Sequence, residues 1–237
     1  MLSAIKTAGI IGKDNSVITN RGLIKTENAT PTSAGEGLAG ISLNASKATN
    51  TSTGSITLDT KYSTGMYGEV TSALVNEGTI TGNSKEHIVG MAGDASTATN
   101  KKTITLEGKN ATGIFGRNNS TLLNDTTGTL TIKEENSVGM YSSQNAAVAK
   151  NQGTTITAKK TSAALLGDKG TLENNGSITT KEETSAGMYA KNTNATNKKN
   201  ITTEWKTSAG ILVELDDSTG GTVSGTNGTT GTIKANN

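Results

Sequence analysis

The sequence predicts an all-β chain, a parallel β-helix (solenoid) of about nine coils with three short strands per coil. Three observations carry this: a recurring glycine, a recurring asparagine, and period-2 alternation of apolar residues around both. The glycine stands at Gly9, Gly40, Gly65, Gly90, Gly113 and Gly139, gives way to Ala164, and returns at Gly187 and Gly210, with most steps between 23 and 26 residues. Its flanks repeat too, as in Ser63-Thr64-Gly65-Met66-Tyr67, Ser137-Val138-Gly139-Met140-Tyr141 and Ser185-Ala186-Gly187-Met188-Tyr189.

The first strand of each unit surrounds this glycine. The expected inward pairs are Thr64 and Met66, Val89 and Met91, Thr112 and Ile114, Val138 and Met140, and Ala186 and Met188, with the glycine facing away. The next strand ends on the asparagine, at Asn20, Asn50, Asn76, Asn100, Asn124, Asn151, Asn174, Asn197 and Asn227, with Leu74, Ala98, Leu122, Ala149, Leu172 and Ala195 two positions earlier. A recurring asparagine at one corner can hydrogen-bond to the coils above and below it and tolerates turn conformations, so these side chains are expected to form a ladder. The third strand is Thr-rich, with Ile80, Ile104, Leu130, Ile156, Ile178 and Ile201 expected inward, joined two residues later by Leu58, Leu106, Ile132 or Ala158. Coils stack at about 4.8 Å, so nine would make a rod about 43 Å long.

Composition fits a narrow solenoid. Only 31% of the residues are hydrophobic and 3% aromatic, poor for a globule of 237 residues but enough for a core one coil thick. The competing reading, a disordered Ser/Thr/Asn/Gly tract, gives no reason for apolar residues to keep register over nine units. The net charge of +2, from 22 basic and 20 acidic residues, carries no signature of nucleic-acid or anionic-membrane binding. There is no cysteine and no apolar run of membrane-spanning length, Met1-Leu2-Ser3-Ala4-Ile5-Lys6 does not read as a signal peptide, and the repeat is cut at both ends without an obvious cap. The expectation is therefore a single β-helical segment over 1–237, excerpted from a longer protein. Insertions near 26–37, which hold the only proline, Pro31, and near 216–225, with Asp216 and Asp217, are expected as surface loops.

Catalytic chemistry is hard to find in the pattern. A carbohydrate-active β-helix needs carboxylates at equivalent places in neighbouring coils. Asp59, Asp94, Asp125 and Asp168 read as falling at different points of the unit, and His87 is alone in a corner where other coils put Lys, Glu or Asn. No cysteine or histidine cluster suggests a metal, and Asp216-Asp217 alone is too weak to propose one. The runs Lys133-Glu134-Glu135 and Lys181-Glu182-Glu183 read as solvated turns. Tyr67, Phe115, Tyr141 and Tyr189 share one position, two residues after the glycine, and read as either a corner-packing ladder or an aromatic track for sugar or protein. Trp205 breaks its column and is a candidate contact residue. The Thr-x-Thr motifs, such as Thr79-Ile80-Thr81, Thr103-Ile104-Thr105 and Thr155-Ile156-Thr157, would set two outward Thr columns like those of ice-binding solenoids, although Thr suits any solvated strand.

At Ser-x-Gly-Met-Tyr followed by Asn-x-Gly-x-Ile-Thr, the chain resembles the passenger repeats of large type V autotransporter adhesins, in particular the RadD-like outer-membrane proteins of fusobacteria. The resemblance runs through all nine units. It implies a right-handed parallel β-helix, export, display at the outer membrane by a β-barrel outside this chain, and adhesion or coaggregation without a cofactor. The resulting expectation is a non-catalytic stalk segment of an adhesin at the cell surface, or secreted, acting as a monomer. Its partner would be a surface protein or glycan of another bacterium or host cell, with no nucleic acid and no membrane insertion. The candidate contacts are Trp205, Asp216, Asp217 and Pro31; no catalytic, cofactor or metal residue is assigned. The alternatives are a carbohydrate-active β-helix enzyme and an ice-binding solenoid using the Thr-x-Thr face.

Overall fold

Successive strands in the sequence do not pair with each other; each pairs with the equivalent strand one repeat away. The computed structural model describes residues 7–27, 31, 37–83, 85–144, 147–216 and 222–236. Three parallel sheets of nine strands each result. The first sheet runs from Thr7–Gly12 to Ala209–Glu214, the second from Val17–Asn20 to Gly225–Asn227, and the third from Leu23–Thr26 to Thr232–Ala235. The chain visits the three sheets in turn, so the architecture is an all-β parallel solenoid with three strands per turn. Seven of the nine strands in each sheet are paired on both sides. The described residues contain no helix.

One coil shows how sequence sets the faces. In Thr97–Asn100, Ala98 and Asn100 are buried while Thr97 is exposed; in Thr103–Leu106, Ile104 and Leu106 are buried. Met91, Ile114 and Leu122 complete the same core, all fully buried. Each such aliphatic side chain stabilises the fold by about 1.5–3 kcal/mol relative to exposure. Volume is conserved across corners. Where the third strand has Gly82 in place of Leu58 or Leu106, Ile88 from the following corner fills the space, and a Cβ on Gly82 would collide with its Cδ1. Further along, the same column turns polar, from Ile132 to Thr157, Thr180 and Thr203, whose buried hydroxyls have no hydrogen-bond partner.

Two inward assignments are corrected. The repeated glycine faces the interior, not away from it. A Cβ on Gly90 would lie 2.7 Å from Ile104 Cγ2 and 2.5 Å from the Gly113 carbonyl oxygen. The residue after the glycine is also inward, so the first strand bends there, and the residue before it (Thr64, Val89, Thr112, Val138, Ala186) lies outside the core cluster. Strict period 2 cannot describe two consecutive inward positions. The second correction is Ile156, which points outward and is only part-buried, while Thr155 and Thr157 are fully buried in its coil. Thr155 pairs with Leu130 and Ile178, both core residues, and Ala158 is likewise off the inward column. A slip of one residue reverses every side chain of a strand.

The asparagine ladder is continuous. Asn20 Nδ2 donates to Asn50 Oδ1, and so on through Asn76, Asn100, Asn124, Asn151, Asn174 and Asn197 to Asn227, at 2.7–2.9 Å in every step. The direction is fixed locally. Oδ1 of Asn20, Asn100, Asn174 and Asn197 accepts the backbone N–H two residues on, which leaves Nδ2 to reach the next coil. At the corner between the first and second sheets a serine ladder does similar work: the Ser46, Ser72 and Ser96 amides donate to the hydroxyls of Ser72, Ser96 and Ser120 at 3.1–3.2 Å. Non-glycine residues with positive φ turn this corner, among them Ala45 (48°), Thr71 (59°), Ala95 (51°) and Lys169 (63°). A second set, Tyr62, His87, Asn110, Asn136, Thr161 and Thr184, turns the corner between the third and first sheets. Left-handed conformation costs such residues about 1–2 kcal/mol, offset here by backbone bonds to the next coil, such as Thr71 N–H to Ala95 O at 2.8 Å.

Two predictions follow from these faces. Ile104→Asp places an unpaired charge in the core and should cost about 3 kcal/mol or more, whereas Ile156→Asp should cost under about 1 kcal/mol. Chemical denaturation of the two variants side by side checks the face reversal, and equal losses would refute it. Asn124→Ala removes the acceptor of Asn100 and the donor to Asn151, so it should cost about 2–4 kcal/mol. The exposed Asn83→Ala should change the thermal midpoint little by comparison.

Candidate functional site

The outer face of the first sheet carries the most organised side chains on the surface. Two residues after each glycine frame, the register aligns Tyr67, Ala92, Phe115, Tyr141, Leu166, Tyr189 and Leu212 into one outward column. It runs along the middle of a sheet, not a corner. Tyr67 is buried, Phe115, Tyr141, Leu166 and Tyr189 are part-exposed, and Leu212 is 45% exposed. Phe115 and Tyr141 meet edge to face with centroids 5.4 Å apart.

Beside this column, four residues after the glycine, lies a second one: Asn44, Glu69, Asp94, Arg117, Ser143, Asp168, Lys191 and Glu214. Asp94 and Asp168 therefore share a column, contrary to the sequence expectation, and Glu69 sits directly opposite Asp94. The signal was in the sequence, because Glu69, Asp94, Arg117, Lys191 and Glu214 all fall four residues after a glycine of the repeat. The adjacent carboxylates are already occupied. Asn44 Nδ2 donates to Glu69 Oε1 at 2.9 Å and the Tyr67 hydroxyl to Oε2 at 3.2 Å, while Asp94 Oδ2 accepts Arg117 Nε at 2.9 Å and Oδ1 accepts Asn118 Nδ2 at 2.7 Å. A carboxyl with both oxygens held this way is a structural acceptor and is poorly placed to move a proton. Burial, with Glu69 and Asp94 nearby, pushes the Tyr67 phenol up to about 12; the hydrogen bond to Glu214 does the same for Tyr189, also to about 12.

The candidate contacts are spread along the rod. Trp205 is 46% exposed in the turn before Ala209–Glu214, its carbonyl accepting the Ser208 amide at 3.2 Å. Asp216 follows that strand at the opposite corner, its amide donating to Asn192 Oδ1 at 2.8 Å. Pro31 lies in the connection from Leu23–Thr26 to Leu38–Asn44, at the other end of the sheets. The structure does not bring these three together. Asp217, and most of the insertions near 26–37 and 216–225, lie outside the described residues. His87 is a turn residue with φ of 57°, stacked on Tyr62 at 4.9 Å. Among the described residues no three His, Asp or Glu side chains gather where they could hold a metal.

The lysine-glutamate corners link neighbouring coils. Lys61 bonds Glu86, Lys101 bonds Glu77, Lys109 bonds Glu135 and Lys133 bonds Glu107. The hydrogen bonds hold Glu86 and Glu135 below the usual carboxylate range and raise Lys61 and Lys109. Lys109, Glu134, Glu135, Lys159, Lys160, Glu182 and Glu183 line a shallow cleft of mixed charge. On the third sheet, Thr occupies both outward positions in three consecutive coils, Thr79/Thr81, Thr103/Thr105 and Thr129/Thr131. The next coil presents Thr154 and Ile156, because Thr155 and Thr157 face the core.

Alkaline titration tests the tyrosine environments. A phenol whose pKa is raised by folding contributes stability that is full below pH 10 and is lost as pH rises through about 12. Tyr67→Phe and Tyr189→Phe should each remove one late-ionising phenol from the ultraviolet absorbance titration.

Residues 2–128 match a family described as the BigA third pectate lyase-like domain, and domains of this kind occur in bacterial surface proteins. The match ends within the third-sheet turn after Asn124, yet the asparagine ladder continues unbroken to Asn227. No curated protein and no solved structure matches the chain. On a match that covers more than half of its length, in the same repeats that build the ladder, the chain belongs to the BigA third pectate lyase-like domain family.

Proposed function

We propose that this chain is a non-catalytic stalk segment of a bacterial cell-surface adhesin, a rod that holds adhesive surfaces away from the cell. One observation carries the reading: the side-chain ladders and ion pairs that repeat along the structure join one coil to the next. The asparagine and serine ladders do so, as do the ion pairs Lys61–Glu86, Lys101–Glu77, Lys109–Glu135 and Arg117–Asp94. Such a rod transmits length and stiffness along its axis. The finer reading is a right-handed passenger segment of a type V autotransporter, RadD-like, displayed at the outer membrane and active in coaggregation or host attachment. The crossover rule for parallel strands supports the right hand, and the family's occurrence in bacterial surface proteins supports the location.

The carbohydrate-active enzyme is the second reading, and the opposed carboxylates Glu69 and Asp94 are what favours it. Their saturated hydrogen bonds argue for a structural role. Beads coated with the chain should capture bacterial or epithelial cells, and the Trp205→Ala variant should capture fewer if the exposed indole is a contact. Incubation with polygalacturonate should release no reducing ends or unsaturated products. Release that disappears in the Glu69→Gln/Asp94→Asn variant would replace the adhesin with an enzyme.

A further inference from the structure

The core columns account for the burial of the inner coils, but not for the outward column on the first sheet. From Phe115 to Leu212 five successive coils place a ring or leucine side chain at this position, in register and at least partly exposed. At a strand spacing of about 4.8 Å, the stripe is straight and about 19 Å long. One flank is low, formed by Thr112, Val138, Ala163, Ala186 and Ala209, so a ligand can lie close to the rings. The other flank presents Arg117, Asp168, Lys191 and Glu214, whose signs alternate along the rod.

We propose that this face is a binding track for a neutral, straight β(1→4)-linked pyranose chain. The proposal rests on the adhesin reading and names its ligand class. Sugar rings have apolar faces that pack on aromatic side chains and equatorial hydroxyls that exchange hydrogen bonds with charged groups at the edge. Tyr141 and Tyr189 stand two coils apart, about 9.6 Å, the order of a disaccharide step in such a chain, where every second residue shows the same face. The Tyr189 ring is anchored by its hydroxyl bond to Glu214. Phe115 meets Tyr141 edge to face, so the two act as one platform. Other polymers fit less well. Alternating charges give no net field to draw a polyanion. A peptide cannot add as a strand over most of the track, because the backbone of the four strands from Phe115 to Tyr189 is paired on both sides. Tyr67 is buried, and the track begins beyond it.

The test uses cellohexaose and chitohexaose with the whole chain, read by calorimetry. The comparison variant is Phe115→Leu/Tyr141→Leu/Tyr189→Leu, a change the column tolerates, since Leu166 and Leu212 already occupy it. The parent should bind at least one hexasaccharide, the variant roughly tenfold or more weakly, and a hexagalacturonate should not compete. Ring-proton shifts of Tyr141 and Tyr189 on titration give a readout independent of the variant's folding. No binding of either neutral hexasaccharide, or equal binding by a folded variant, overturns the track. The bead assay separates the two readings. Cell capture that survives both the triple variant and periodate oxidation of the cells removes the sugar track and leaves adhesion; leucine-sensitive hexasaccharide binding without cell capture keeps the track and removes the adhesin.

Discussion

Register between successive coils is the constraint on which everything else depends. A solenoid turn has no partner but its neighbours, so a buried polar group goes without a partner or finds one along the axis. The asparagine at the second corner does this with one side chain per coil. Its oxygen accepts the amide two residues on, its nitrogen donates to the next asparagine, and the result is a polar thread inside an apolar tube. Any coil displaced along its strand would break two of these bonds and turn its aliphatic side chains toward water.

The tube is thin, and it tolerates exchange between positions more than loss at any one. Gly82 and Ile88 trade volume across a corner, and Thr155 replaces the usual Ile in the coil where Ile156 has turned outward. From that coil on, Thr157, Thr180 and Thr203 replace aliphatics and bury unpartnered hydroxyls. The core is weaker there by the cost of each such group, about 1–3 kcal/mol. The backbone ladders continue unchanged, which is how a chain with few hydrophobic residues stays ordered.

Because structure consumes the inward positions, function is left the exposed turns, such as that of Trp205, and three outer faces. Two of these are plain, Thr-rich and interrupted. The third aligns rings and charges over successive coils, and this alignment is a by-product of register: residues at fixed offsets from the glycine must stack. The same rule brings Glu69 opposite Asp94 and then occupies them with Asn44, Tyr67, Arg117 and Asn118.

The sequence by itself determined the solenoid, the inward column of the second strand and the asparagine ladder, because each depends on spacing within the repeat. It also held two signals that counting would reveal. The inward residue of the third strand lies an even number of residues after the asparagine, four from Asn100 to Ile104 and six from Asn124 to Leu130, whereas Ile156 lies five after Asn151 and so faces out. The charged column lies four residues after each glycine. Only the tertiary structure decided the rest. The glycine faces inward because the strand bends where the next coil's carbonyl and an isoleucine methyl leave no room for a Cβ. Ala45, Thr71, Ala95 and Lys169 adopt positive φ against their local preference, because a corner must turn there and the next coil's carbonyl receives the amide. Local propensity cannot show a conformation that neighbouring coils impose.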